Sequence, residues 1–327
     1  MKRRTLTKGF EVSAIGLGCM GMSEFYGPRD DEKSMQVLHE AAHLGIDFLD
    51  TADMYGPHHN EDLIGTFLTQ TKTPMKIATK FGIVRAPGEY LRSLDNGPKY
   101  ARSACEGSLK RLGVERIDLY YVHRINRDQS IEETMGGLSR LVEEGKINRI
   151  GLCEVSAETL RRAHAVHPVT AVQTEYSLWS RGVEAEVLPA CRELNIGFVP
   201  YSPLGRGFLT GRFQDKTDFE DGDFRALLPR FQAEAVASNR RIADLVSRIA
   251  TRKGCTPAQL SLAWLLAQGD DIVPIPGTKR IRYLRDNAGA VDVTLSGAEL
   301  QEINQGLATL PVAGARYTDE GMKGVDA

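Results

Sequence analysis

Short apolar runs alternate with longer amphipathic stretches along most of this chain. The runs are Ala14–Leu17, IDFLD, KIATK, IDLYYV, INRIGL, TAVQT, IGFVPYS and DIVPIP, eight strand candidates in all. Between them lie stretches such as DDEKSMQVLHEAAHLG, whose apolar residues recur at helical spacing. Gly45, Gly113 and Gly145 stand where the first, third and fourth of these helices should close. Strand followed by helix, repeated over about 300 residues, predicts parallel strands in a (β/α)8 TIM barrel, not an open doubly wound sheet.

The flanks depart from this rhythm. RRTLTKGFEVSAIGLG predicts an N-terminal β-hairpin turning at Lys8-Gly9, and TLSGAELQEINQGLATL predicts an extra C-terminal helix whose N-cap is Ser296. GRGFLTGRFQDKTDFEDGDFRALLPRFQAEA, after the seventh run, far exceeds the ~2–6 residues of a usual barrel connection, so a flap from Gly205 to about Phe231 is expected. No linker or internal repeat interrupts the pattern, and residues 1–327 read as one domain. The tail beyond Pro311 carries no pattern.

Composition narrows the function. Hydrophobic residues make up 42% and charged residues 26%, enough apolar material for a large core. With a formal net charge of -2 there is no global positive field to recruit nucleic acid or an anionic membrane, so an anionic ligand needs a local cluster. The opening residues lack a long apolar run and no stretch approaches a membrane span, which reads as a cytoplasmic protein. Cys19, Cys105, Cys153, Cys191 and Cys255 are scattered and form no C-x-x-C pair, the pattern of reduced, buried thiols without a metal.

The chemistry gathers at the ends of strands. In a barrel the C-terminal strand ends converge on one face. Asp50 ends the second strand, Tyr55 follows in its loop, Lys80 ends the third strand, and His123 follows the fourth. These types suit carbonyl reduction: hydride on the carbonyl carbon leaves an alkoxide that needs a proton, which a phenol can give. Lys80 would lower the cost of forming the phenolate, Asp50 would hold Lys80, and His123 would donate a hydrogen bond to the substrate oxygen.

DTADMYG, ATKFG, YVHRIN, GLCEVSAETLRRA, VQTEYSLWSR, YSPLGRGFLTG and IPGTKRIRYLRDN occur in this order across nearly the whole chain. The sequence resembles the aldo-keto reductases, in particular the auxin-induced-like and bacterial branch. The resemblance implies a catalytic tetrad of Asp50, Tyr55, Lys80 and His123, with NADPH as cofactor and a small carbonyl compound as substrate. It also implies that Cys153-Glu154 and Gln173 hold the nicotinamide carboxamide, although Cys153 stands where relatives have a serine and a thiol bonds more weakly. Tyr201 would stack on the nicotinamide, with Ser202, Leu204 and Arg206 along the diphosphate. Asp286 and Asn287 fall where relatives contact the adenine.

GLGCMG formally satisfies G-x-G-x-x-G, but MSEFYGPRDD follows it where a dinucleotide fingerprint needs a helix. Gly18, Cys19 and Met20 are instead expected in a tight turn at the barrel mouth, with backbone atoms against the cofactor. Gly277 and Thr278 are expected to open the helix after the eighth strand, with Lys279 and Arg280 adding charge for the 2′-phosphate of NADPH. Phe25, Tyr26 and Trp179 are expected walls of the substrate pocket, beside Tyr55 and His123. The competing reading is an NADPH-binding regulatory subunit with little turnover, resembling the potassium-channel β-subunits. Neither a particular carbonyl substrate nor an oligomeric state is legible.

Overall fold

The computed structural model describes residues 1–89, 91–213 and 219–326. A hairpin of β1 (Arg3–Thr7) and β2 (Phe10–Ser13) precedes the parallel strands β3 (Leu17–Gly18), β4 (Phe48–Asp50) and β5 (Lys76–Phe81). A small ribbon, β6 (Ile83–Val84) with β7 (Ser93–Leu94), interrupts the series. The parallel strands resume as β8 (Leu119–Val122), β9 (Ile150–Cys153), β10 (Val169–Glu175) and β11 (Gly197–Tyr201). They pair in the order β3-β4-β5-β8-β9-β10-β11. The main helices are α1 (Asp31–His43), α2 (His59–Gln70), α3 (Pro98–Leu112), α4 (Ile131–Glu143), α5 (Ala157–Val166), α6 (Val187–Glu193), α7 (Ala233–Lys253), α8 (Pro257–Leu266), α9 (Ile281–Ala288) and α10 (Gly297–Ala308), with a single turn, α11 (Asp319–Met322), in the tail.

The eighth apolar run closes the ring without a regular strand of its own. On one side the amides of Val273 and Ile275 donate to the carbonyls of Phe198 and Pro200, at 2.9 and 3.1 Å; on the other Gly16 donates to the Pro274 carbonyl at 3.0 Å. Pro274 and Pro276 lack the N–H groups that a continuous ladder needs. The barrel is a (β/α)8 barrel whose last seam is held by alternate residues.

The hairpin plugs the end where the strands begin. Leu6, Phe10 and Val12 share a buried cluster with Phe48, Leu119, Tyr121 and Val199 of the barrel interior. A Cβ on Gly197 would sit 2.5 Å from the Leu6 carbonyl, so the close approach of the plug requires glycine there. Burying each large apolar side chain in that cluster contributes ~1.5–3 kcal/mol.

Strand alternation positions the opposite end. Phe48, Ala78, Leu119, Tyr121, Ala171 and Val199 face inward, while Leu49, Ile77, Tyr120, Val122, Val172 and Phe198 pack against the helices. Two residues further along the inner face come Asp50, Lys80, Gln173 and Tyr201. The period that fills the barrel therefore also delivers four polar side chains to its mouth.

Two segments bound that mouth. In the long connection after β11, Gly205–Thr210, Phe224–Leu227 and Pro229–Phe231 form 3-10 turns before α7. Residues 214–218 of the expected flap lie outside the described residues. The tail, patternless in sequence, folds back across the mouth. Ile125 donates to the Gly324 carbonyl at 3.1 Å, Asp326 to the Glu154 carbonyl at 2.8 Å, and Arg92 to the carbonyls of Glu320 and Gly321. No helix among the described residues is long and apolar enough to cross a membrane.

Candidate active site

Lys80 is fully buried and its ammonium has three partners: the Asp50 carboxylate, the Thr51 carbonyl at 2.7 Å and the Tyr55 hydroxyl at 3.3 Å. Gln173 Nε2 donates to the other Asp50 oxygen at 2.6 Å, so neither carboxylate oxygen is unpaired. Tyr121 lies beneath, its ring 6.0 Å from Lys80 Nζ, and a Cβ on Gly151 would come within 2.4 Å of that ring. Tyr55 and His123 meet edge to face with centroids 5.7 Å apart.

Burial lowers the Lys80 pKa, but the Asp50 charge and hydrogen bond together with Tyr55 and Cys153 outweigh it, so the ammonium titrates above its ordinary range. For Tyr55 burial wins in the other direction and raises the phenol, with Lys80 opposing. The sequence reading stressed only the lowering by Lys80; in the folded chain the phenol keeps its proton at neutral pH. His123 is held well below 6.5, first by burial and then by the charges of Lys80, Arg124 and Arg92. The imidazole is neutral and carries one N–H.

A cleft of ≈ 580 Å³ runs from Tyr55 and His123 along the strand ends to α9. Gly18, Met20, Asp50, Gln173, Tyr201, Ser202, Leu204, Arg206, Gly277, Thr278, Lys279, Arg280, Asp286 and Asn287 line it, with Phe25 and Tyr26 at the near end. Ser202, Gly205, Arg206 and Gly207 all have left-handed φ, from +47° to +93°. Of these four, the amides of Gly205 and Gly207 are already donated to the carbonyls of Ser202 and Leu204, at 2.9 and 3.0 Å. Arg206 adds a buried Nη1 without a partner.

The described residues offer no group of three or more metal-ligating side chains. What decides the family is the sequence match that coincides with this geometry: the model of the aldo/keto reductase family matches residues 14–307. The chain belongs to the aldo/keto reductase family. It is 51% identical over 311 residues to "Aldo-keto reductase yakc [NADP(+)]" of Schizosaccharomyces pombe, covering 94% of this chain and 92% of that protein. A probable aldo-keto reductase of Glycine max is 50% identical over 313 residues, covering 95% and 90%. Among solved structures, the glycerol dehydrogenase of Gluconobacter oxydans superposes with a TM-score of 0.86 at 27% identity, covering 94% of this chain and 95% of that one.

Several expected contacts in this aldo-keto reductase lie elsewhere. Cys19 and Cys153 are buried below the cleft surface; Cys153 packs with Ala78, Tyr121 and Val199 inside the barrel, and burial pushes its thiol up to about 12. Glu154 is also sealed off, accepting from Tyr201 at 2.6 Å and from Arg316. Trp179 is no pocket wall. Its ring stacks on Phe208 at 4.7 Å and supports Gly205, where a Cβ would approach the indole within 2.7 Å.

The start of the last barrel helix also differs from the sequence reading. α9 begins at Ile281 with Arg280 as N-cap, so Gly277 and Thr278 lie in the preceding loop, where Thr278 Oγ1 accepts from the Arg280 amide at 3.1 Å. Lys279 spans the cleft to the carbonyls of Tyr26 and Pro28, at 2.6 and 3.0 Å. Arg280 is exposed.

Some site residues left no trace in the pattern. Glu175 is buried among Arg206, Arg230 and Arg316, whose charges hold its carboxyl at about 2 although burial raises it. Tyr317 lines the cleft, its hydroxyl 2.9 Å from that of Tyr201 and its ring 4.6 Å from the Arg206 guanidinium. The only signal for Tyr317 was an Arg-Tyr pair in a segment with no periodicity.

Proposed function

We propose that this chain reduces aldehydes and ketones to alcohols with NADPH, and that Tyr55 donates the proton. The observation that carries the reading is the buried Asp50–Lys80–Tyr55 chain opening into the cleft beside His123. Bound NADPH supplies the hydride. The protein's part is proton delivery and charge stabilisation. Tyr55 gives its proton to the substrate oxygen as alkoxide charge develops there, and Lys80 stabilises the phenolate left behind. Asp50 and the Thr51 carbonyl hold Lys80 so that no reorganisation is needed at that moment. The neutral His123 N–H donates to the same substrate oxygen.

The cleft fits the cofactor in three respects. Tyr201 offers a ring face, the turn from Ser202 to Gly207 brings the backbone up to where the diphosphate would lie, and Arg206 Nη1 awaits an acceptor. Gln173 offers its side-chain carbonyl to the carboxamide, since its NH2 is committed to Asp50. Arg280 and Thr278 would meet the 2′-phosphate, with Asp286 and Asn287 at the adenine. The yakc relative's name, which specifies NADP(+), supports this choice. Following NADPH absorbance with aldehydes, dicarbonyls and ketones tests the function; no oxidation above background with any of them would refute it.

A further inference from the structure

Arg124, next to His123, lines the cleft although only 6% of it is exposed. A buried guanidinium normally has a carboxylate partner, because an uncompensated buried charge is costly. Among the described residues no carboxylate lies within ion-pair distance of Arg124. Its single hydrogen-bond acceptor there is the His123 carbonyl, reached by Nη1 at 2.8 Å, and Nε is buried with no acceptor. The Nε–Nη2 edge is the one that forms paired bonds to a carboxylate. Glu154 acts on Arg124 only at longer range: its Oε1 is engaged by Arg316 and Tyr201, and its Oε2 is buried without a hydrogen-bond partner and forms no ion pair with Arg124.

The surroundings fix the backbone and Cβ of Arg124. Asn96 donates to the Arg124 carbonyl at 3.1 Å. From the tail, Gly324 packs so closely that a Cβ there would come within 2.8 Å of Arg124 Cβ. Arg92, the other cation lining this end, is steadied by the tail carbonyls of Glu320 and Gly321. The neighbouring walls, Met54, Ile83 and Phe25, carry no negative charge. Since His123 is neutral, positive charge at this end comes from the arginines.

We infer that Arg124 binds a carboxylate on the substrate, so that the preferred substrates are aldehydes or ketones carrying a carboxylate a few bonds from the carbonyl. The inference rests on the reductase reading for its substrate but not for its binding site. Held by Arg124, the carboxylate would orient the carbonyl toward Tyr55 and His123, a gain of proximity that neutral analogues forgo.

The test compares succinic semialdehyde and 2-carboxybenzaldehyde with their methyl esters at saturating NADPH. The wild-type protein should favour the acids in kcat/KM by about tenfold or more, mainly through KM, the scale of a charge-assisted pair. Arg124→Met should bring the ratio toward one, and Arg124→Lys should keep part of it. A wild-type ratio near one, or a ratio unchanged in Arg124→Met, overturns the inference and leaves Arg124 to balance the field of Glu154. Calorimetric titration of the NADP+-loaded wild type and Arg124→Met with benzoate and benzamide reads the site without turnover: benzoate should bind the wild type in preference to benzamide and lose that preference in Arg124→Met. Ester turnover without benzoate binding would sink the carboxylate site alone, whereas benzoate binding without turnover of any carbonyl would sink the reductase reading alone.

Discussion

Lys80 Nζ lies 3.3 Å from the Tyr55 hydroxyl and is bonded at the same time to the Asp50 carboxylate. Lys80 and Asp50 come from the inner face of the adjacent strands β5 and β4, so the barrel's side-chain alternation sets their spacing, and Tyr55 reaches them from the loop after β4. The phenol is kept protonated by burial, and the ammonium waits beside it for the charge that proton transfer creates.

Lys80→Met should separate chemistry from stability. It leaves Asp50 buried without its counter-charge, which should destabilise the fold by ~3–5 kcal/mol, and it should cut turnover by at least ~10²-fold. Adding Asp50→Asn should restore much of the stability and none of the turnover. Melting curves and steady-state rates on both variants check this; recovery of turnover in the double variant would show that Lys80 acts only structurally.

His123 makes stability depend on pH in a definite direction. Its imidazole titrates near 6.5 when unfolded and well below that when folded. Between those values the unfolded chain binds the extra proton, so stability falls as pH drops below about 6.5, at up to ~1.4 kcal/mol per unit. Above that range His123 adds no slope. Urea melts of wild type and His123→Asn across this range should show the steeper acid-side loss only in wild type.

Arg280→Ala and Lys279→Ala should have different effects. Arg280 is exposed at the start of α9, whereas Lys279 ties that loop to Tyr26 and Pro28. Losing Arg280 should weaken NADPH by about tenfold with little change for NADH, and the difference should shrink as salt rises. Losing Lys279 should weaken both cofactors alike, by loosening the loop that carries Phe25 and Tyr26. Titrations by tryptophan quenching distinguish the two; an equal loss for both cofactors in Arg280→Ala would place the 2′-phosphate elsewhere.

Glu175→Gln should be costly although its side chain is sealed from solvent. It would leave Arg206, Arg230 and Arg316 buried without that carboxylate, a loss of ~3–5 kcal/mol. NADPH affinity should fall as well, since Arg206 and the left-handed run beside it would lose their anchor. Thermal melts with and without NADPH measure both effects, and a variant as stable as wild type would show that the cluster is not electrostatically coupled.

The sequence carried the barrel because period-2 and period-3.6 patterns are local, and a residue at a strand end inherits its position from them. Asp50 and Lys80 were legible for that reason, whereas Gln173 was legible only through the family resemblance. The eighth strand was legible as an apolar run, but Pro274 and Pro276 reduce it to alternate hydrogen bonds. Trp179 was misplaced because an aromatic in a mouth loop reads the same whether it faces the cleft or, as here, braces Gly205 from behind. Tyr317, Arg316 and Glu175 are brought together only by the folded tail, a long-range contact with no periodic trace. Arg124 was hidden for another reason: its environment is defined by the partner it lacks.

The most direct measurement is the rate of NADPH oxidation with a reactive aldehyde in wild type and Tyr55→Phe, with NADPH binding measured in parallel. The substitution keeps the ring against His123 and Lys80 while removing the transferable proton. Turnover should fall by ~10²–10⁴-fold with NADPH affinity retained, as general acid catalysis requires. Near-normal turnover in Tyr55→Phe would contradict the assignment of Tyr55 as proton donor.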